Sequence, residues 1–263
     1  MNGSDREPAG AGKRAGTALI TGGTRRIGGA IARALAAAGY DLVLQTRDPA
    51  TVDPGFLADL GAAGAAVDLV TLDLGDAAAL AARIDDLFAR RPDIGLVVNN
   101  ASRFEPDDFA SLTPGSFNRH MAVNALAPLM LIQALDRARG ADGGAVVNVL
   151  DAKLAWPHPD FLSYTLGKAT LATITDLAAR HYAPRIRVNG VAPGLTLISP
   201  FQDEARFAAE KGKLPLGPGL GPGDIADAVV FLAGAAQVTG QVIAVDGGER
   251  YLARQHDPST PLA

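Results

Sequence analysis

Apolar positions along the chain fall into two alternating rhythms. Short continuous apolar runs at residues 18–21, 41–45, 66–72, 94–98, 145–150, 185–191 and 241–245 read as strands. Between them the spacing becomes helical. In 26–38, Ile27, Ala30, Ile31, Ala34 and Leu35 share one face, and Gly39 ends the run. Residues 77–90, 114–139, 163–181 and 224–233 read as further helices. Continuous apolar strands alternating with helices require a sheet covered on both faces. The pattern therefore predicts an α/β fold, a doubly wound parallel sheet of about seven strands, in a single domain. Residues 195–223 break the rhythm with Pro200, Pro215, Pro218, Pro222 and several glycines. A loop this long is usually functional or disordered, so a substrate loop and a surface excursion both stay open. The polar stretch 1–16 reads as a flexible N-terminal tail, leaving 17–263 as the domain.

Composition narrows the function classes. A chain of 263 residues with 48% hydrophobic content can bury one large core. A net charge of −4 gives no support to a nucleic-acid or membrane-surface role. The absence of cysteine excludes disulfides, thiolate metal sites and cysteine nucleophiles. No apolar stretch approaches the roughly 20 residues of a membrane span. His120, His158, His181 and His256 are scattered, and no metal site is expected. A cytoplasmic protein acting on a small molecule is the expectation.

Candidate chemistry clusters where predicted strands end. The first strand runs into Gly22-Gly23-Thr24-Arg25-Arg26-Ile27-Gly28 at the start of a helix. Glycines let the backbone approach a pyrophosphate, and the helix N-terminus supplies N–H groups and a positive dipole end. Gly22, Thr24, Arg25, Arg26 and Ile27 are thus candidate cofactor contacts. The second strand ends in Arg47 rather than the acid that would hold the ribose of NAD. Guanidinium groups suit a 2′-phosphate, so NADPH is favoured. Asp73, just past the third strand, either bonds the adenine amine or caps the next helix. Asn99-Asn100-Ala101 follows the fourth strand, on the edge where ligands sit in such sheets. Thirteen residues beyond Asp151 lies Tyr164-x-x-x-Lys168. Residues four apart on a helix share a face, with side-chain bases about 5–6 Å apart. An ammonium beside a phenol favours the phenolate and would lower its pKa toward working pH. Tyr164 is the expected proton donor, Lys168 its support, and Asn124 the residue sustaining a water or backbone relay to Lys168. Trp156, Phe161 and Tyr182 read as core or rim packing.

With these residues placed, the chain resembles the short-chain dehydrogenases/reductases from about residue 17 to residue 251. The resemblance is carried by Thr21-Gly22-x-x-x-Arg26-x-Gly28, Asn99-Asn100-Ala101, Asn124, Tyr164-x-x-x-Lys168, Pro193-Gly194 and Val245-Asp246-Gly247-Gly248. It implies a Rossmann-type fold, an NADP cofactor contacted also by Asn100, Ala101, Ser102, Pro193 and Gly194, and a homotetramer or dimer. Leu166, Leu171, Ile174 and Leu177 in one helix, with Val229, Val230 and Leu232 in another, are the expected interface residues, and a tetramer is favoured. Two departures are informative: the family's usual pattern has glycine at Arg26 and serine at Asp151. Both changes, with Ser102-Arg103-Phe104 and Val149-Leu150-Asp151-Ala152, resemble the pteridine reductase branch. That resemblance implies that Arg26 touches cofactor phosphate and substrate, Phe104 stacks on a pterin, and Asp151 assists protonation. It also assigns Ser102 and Tyr164 to the substrate. Arg103 replaces a small residue expected there. The expected activity is NADPH-dependent hydride transfer to a C=N or C=O bond of a small heterocycle, most naturally a dihydropterin. The alternatives are a generic family member acting on a keto or hydroxy compound, and a non-catalytic NADP-binding sensor.

Overall fold

The computed structural model describes residues 14–252 and 257–258. The expected N-terminal tail lies, for residues 1–13, outside the described residues, as does His256. Seven strands form one parallel sheet: β1 (Gly16–Thr21), β2 (Tyr40–Thr46), β3 (Val67–Thr71), β4 (Ile94–Asn99), β5 (Gly144–Val149), β6 (Ile186–Pro193) and β7 (Val242–Val245). Their order is β3-β2-β1-β4-β5-β6-β7. Every pairing is parallel, with Thr21 opposite Gln45 and Asn99 opposite Asn148. The chain moves outward from β1 to β3 and returns to β4 beside β1. This reversal opens a crevice at the carboxyl ends of β1 and β4, where doubly wound folds bind ligands.

Helices α1 (Arg26–Ala37), α2 (Pro54–Ala62), α3 (Ala77–Arg90), α4 (Pro114–Met121), α5 (Ala127–Arg139), α6 (Leu162–Tyr182), α7 (Glu204–Gly212) and α8 (Pro222–Gly234) complete the described architecture. Successive strand residues face opposite sides, and the core divides accordingly. Ala18, Ile20, Leu42 and Leu44 pack with Ile31 and Leu35 of α1 and with Ile225, Val229 and Leu232 of α8. Leu19, Val43 and Val97 pack on the other side with Leu80, Ile84 and Leu87 of α3 and Leu131 and Leu135 of α5. The strands are continuously apolar because both faces are covered. No described helix is long and apolar enough to cross a membrane.

The structure departs from expectation in three elements. The helix expected over 114–139 is interrupted by a π-helical turn at Ala122–Leu126, which contains Asn124. Such bulges often mark functional positions. Helix α2 was not predicted. It starts with Asp53 capping the Gly55 N–H and Pro54 in the first turn, but buries only Phe56 and Leu60, too few to establish a period. Helix α7 lies inside the irregular segment 195–223, with Asp203 as its cap and no buried residue, so it shows no apolar stripe. The expected interface residues also separate. Leu171, Val229 and Leu232 are buried within the chain, whereas Leu166 and Leu177 of α6 face outward, as does Phe231 of α8, which was not among the expected residues.

Candidate active site

The turn after β1 is held by side chains from three strand ends. The Thr21 hydroxyl oxygen accepts from the backbone N–H of Asn100 (2.9 Å) and of Ala101 (3.0 Å). The Asn100 amide donates to the Thr21 and Gly22 carbonyls at 2.9 and 3.2 Å. From β2, buried Gln45 accepts from the Gly22 N–H at 2.8 Å and donates to the Leu72 carbonyl at 2.6 Å. Sequence reasoning missed Gln45, since nothing local distinguishes a glutamine that wires two strand ends together from a surface one. Gly22 has φ +60, and a Cβ at Gly28 would lie 2.1 Å from the Gly22 carbonyl oxygen. Only glycine permits this close approach. Helix α1 has no acid in its first turn and no side-chain cap. Its first N–H groups and positive dipole end therefore suit a bound phosphate. Thr24 and Ile27 are half-buried beside this turn, while Arg25, Arg26 and Arg47 are exposed around it. Among the described residues neither Arg25 nor Arg47 has an ion-pair partner. Arg26 adopts φ +52, a costly left-handed conformation for a side-chain-bearing residue, and its guanidinium donates to the Ile198 carbonyl at 2.9 Å. This contact joins the phosphate turn to the irregular loop. Asp73 is exposed and accepts from the Gly75 N–H at 2.9 Å. The cap of α3 is Asp76 instead, so the capping alternative for Asp73 is corrected.

Helix α6 brings Tyr164 and Lys168 under the end of β5. The Lys168 ammonium is buried and donates to the Val149 carbonyl at 2.7 Å. It lies 5.9 Å from the centre of the Tyr164 ring. The Tyr164 hydroxyl donates to one oxygen of Asp151, whose other oxygen accepts from the Lys153 N–H at 2.8 Å. Asp151 thus both caps its turn and partners the phenol. The electrostatics correct one expectation. Burial, followed by the adjacent Asp151 charge, raises the Tyr164 pKa well above its usual value of 10.0. Lysine does not lower it here, because the ammonium points at a backbone carbonyl and the phenol bonds a carboxylate. Burial likewise raises the Asp151 pKa and lowers that of Lys168 to about 8. The result is a pair, buried Tyr164 and half-buried Asp151, in which both members favour the protonated form.

Asn124 is fully buried, and both ends of its amide are occupied. Its oxygen accepts from the Arg103 N–H at 2.8 Å and the Ser102 hydroxyl at 3.2 Å, and its nitrogen donates to the Arg103 carbonyl at 2.9 Å. The amide therefore holds the Ser102–Arg103 strand-end turn, rather than bonding Lys168. Gly167 makes room for it, since a Cβ there would come within 3.0 Å of Asn124 Cβ. Arg103 is paired with Glu105 at 2.6 Å. Phe104 meets the edge of Tyr164 at 4.7 Å and stacks flat on Phe161 at 4.2 Å, with Phe201 of the irregular loop 6.2 Å away. The reading of Phe161 as plain packing is therefore incomplete: it is buried, but against Phe104. Phe201 was not singled out, because residues 195–203 carry no periodicity. Pro193 ends β6, and Gly194 donates to the Val245 carbonyl at 3.0 Å. A Cβ at Gly194 would strike Glu249, which accepts from the Leu195 N–H at 2.8 Å. The loop is fastened at its first residue.

A glycine-lined turn at a helix N-terminus, opposite a buried tyrosine and lysine, defines a nucleotide-dependent oxidoreductase of the doubly wound class. Residues 22–249 match the family profile described as enoyl-(acyl carrier protein) reductase, and the chain belongs to the short-chain dehydrogenase/reductase family. It is 30% identical over 242 residues to the dihydromonapterin reductase of Klebsiella pneumoniae, covering 88% of this chain and 95% of that one. It is 34% identical over 243 residues to the L-tagatose-forming galactitol 2-dehydrogenase of Cereibacter sphaeroides, covering 88% and 93%. The crystal structure of FolM alternative dihydrofolate reductase 1 from Brucella suis, in complex with NADP, superimposes with a TM-score of 0.85. It has 33% identity and covers 91% of this chain and 97% of that one.

Proposed function

We propose that this chain is an NADPH-dependent reductase of a dihydropterin, adding hydride to a ring C=N bond. The cofactor reading is supported by the fit of the turn to a phosphate and by the NADP-bound relative from Brucella suis. Gly22, Thr24, Arg25, Arg26 and Ile27 would hold the phosphates, Arg47 the 2′-phosphate, and Asp73 the adenine side. Asn100, Ala101, Ser102, Pro193 and Gly194 would line the nicotinamide half, with Lys168 on its ribose. Bound NADPH supplies the hydride. The carbon that accepts it leaves a ring nitrogen in need of a proton, and Tyr164 is the group aimed to give one. The substrate would lie against Phe104, with Asp151 and Tyr164 on one edge and Arg26 and Ser102 toward the other.

One observation carries the pterin reading: the Tyr164 hydroxyl bonds a half-buried aspartate where the family usually has serine. A serine hydroxyl would stabilise the developing oxyanion of a ketone, whereas a carboxylate repels it. An acid there suits an amidine-like ring nitrogen, which would take its proton from Tyr164 and bond the Asp151 carboxyl. The resemblance to dihydromonapterin reductase supports the same choice. The test is NADPH consumption with a panel of dihydropterins and ketones. Turnover of a dihydropterin, weakened by Phe104→Ala chiefly in KM, is the expected result. Good ketone turnover with dihydropterins untouched would replace this reading by a carbonyl reductase.

We further propose that 195–223 is the substrate loop and that the protein is a homotetramer. Arg26 and Phe201 tie the loop to the site. Leu166 and Leu177 on α6, with Phe231 on α8 and Val242 on the edge strand β7, give two exposed apolar faces, suited to two-fold contacts.

A further inference from the structure

Beside the Asp151–Tyr164 pair lies a buried ionic cluster that the proposed reaction does not use. The Lys153 ammonium, only 5% exposed, donates to the Asp160 carbonyl at 2.7 Å and to its carboxylate at 3.2 Å. It also meets the Asp257 carboxylate at 3.1 Å. The backbone N–H of Asp257 donates to the other Asp160 oxygen at 2.9 Å. Next to it, the Pro258 carbonyl accepts from the Gln202 amide at 3.0 Å. One short carboxy-terminal segment is thereby bonded to two elements far away in sequence. One is the turn carrying Asp151, Lys153 and Asp160; the other is the irregular loop at Gln202. Each borders the aromatic cluster, since the Lys153 ammonium stands 5.4 Å from the centre of Phe161 and Gln202 follows Phe201. A buried ammonium with two carboxylates is costly to desolvate, and such a group persists where its geometry is held.

We propose that Asp257 and Pro258 belong to the substrate site. Lys153, Asp160 and Asp257 would clasp this segment across the aromatic cluster, and Asp257 would act as a positioning residue for the Asp151–Tyr164 pair. The proposal rests on the reductase reading of that pair, but not on the substrate being a pterin. Charged groups face Asp151 from every side. Tyr164 and Lys168 approach from α6, and the Lys153 N–H from its own turn. Asp257 approaches from the carboxy-terminal segment, and Asp246 and Arg250 border the cavity of about 260 Å³ beside it. Burial is the main cause that raises both pKa values, and the Asp257 charge adds a smaller push in the same direction on Asp151 and Tyr164. Asp257 thereby helps to keep the proton on the pair to higher pH.

Two variants of the full-length protein test this. Lys153→Met removes the clasp's cation. It should speed exchange of the Asp257 amide and of the amides of Ser199 and residues 201–203 while leaving the 21–28 turn unchanged. It should also raise substrate KM roughly fivefold, the scale of one lost hydrogen bond, with NADPH affinity unaltered. Asp257→Asn keeps the shape and removes the charge, and should move the alkaline limb of the kcat–pH profile to lower pH. Unchanged exchange in both segments would overturn the clasp. Faster exchange with unchanged KM and an unmoved pH profile would overturn its part in the substrate site. If the enzyme reduces a carbonyl compound and no dihydropterin, the same KM and pH measurements are made on that compound. The pterin reading can then fail while the clasp stands.

Discussion

Replacing Lys168 by methionine should stabilise the fold and disable the enzyme. The Lys168 side chain is buried, with 2% of its surface exposed, and burial lowers its pKa from 10.5 to about 8. A pKa unit corresponds to about 1.4 kcal/mol, so holding the ammonium in this site costs roughly 3 kcal/mol at neutral pH. Methionine fills similar space without charge. It leaves the Val149 carbonyl without its 2.7 Å partner, a loss of about 1–2 kcal/mol. The net gain is roughly 1–2 kcal/mol, or several degrees in Tm for a domain of this size. The pH dependence follows from the sign of the shift. Below about pH 8 the lysine is charged in both the folded and unfolded chain, and the cost is fully present. As pH rises from about 8 toward 10.5 the folded protein sheds the proton first, so wild-type stability climbs. The methionine variant lacks that climb, and the gap between the two should narrow. Thermal unfolding of both proteins at neutral pH and near pH 10, with turnover measured alongside, is the assay. A variant less stable than wild type at neutral pH, or a gap independent of pH, would refute the reasoning. Turnover should fall as well, since the proposed cofactor would lose the ammonium expected to hold its nicotinamide ribose.

Tyr164→Phe keeps the ring against Phe104 and removes the phenol; kcat should fall about 10²–10⁴-fold with NADPH affinity little changed, and turnover within a few-fold of wild type would make Asp151 the donor instead. Gly28→Ala should abolish cofactor binding or folding, because its Cβ would lie 2.1 Å from the Gly22 carbonyl oxygen; calorimetric titration with NADPH and circular dichroism separate the two. NADPH should bind at least about tenfold tighter than NADH, roughly 1.4 kcal/mol, and Arg47→Ala should narrow the ratio; equal dissociation constants would contradict the arginine reading. Phe231→Lys should break the proposed tetramer into smaller species by light scattering, since it buries a charge in the expected contact.

Much of this protein was legible in its sequence because the physics involved is local or periodic. Apolar runs separated by helical spacing determine a sheet covered on both faces, and all seven expected strands are present, with ends displaced by up to two residues. Helices α2 and α7 escaped notice because they bury two residues and none, respectively, and periodicity is visible only where a face is buried. The candidate site divides in the same way. Gly22, Gly28, Tyr164 and Lys168 are recognisable because each is tied to a neighbour within a few residues, through a turn or one helical face. Distances between segments decide the rest. Whether Lys168 lowers the Tyr164 pKa depends on where its ammonium points, and only the fold shows it turned toward Val149 while the phenol faces Asp151. Gln45 and Asn124 receive their roles from turns 23 and 21 residues away, and Lys153 from a carboxylate 104 residues away. Desolvation and charge pairing act through space, so no arrangement of residues along the chain reveals them until the tertiary structure brings the partners together.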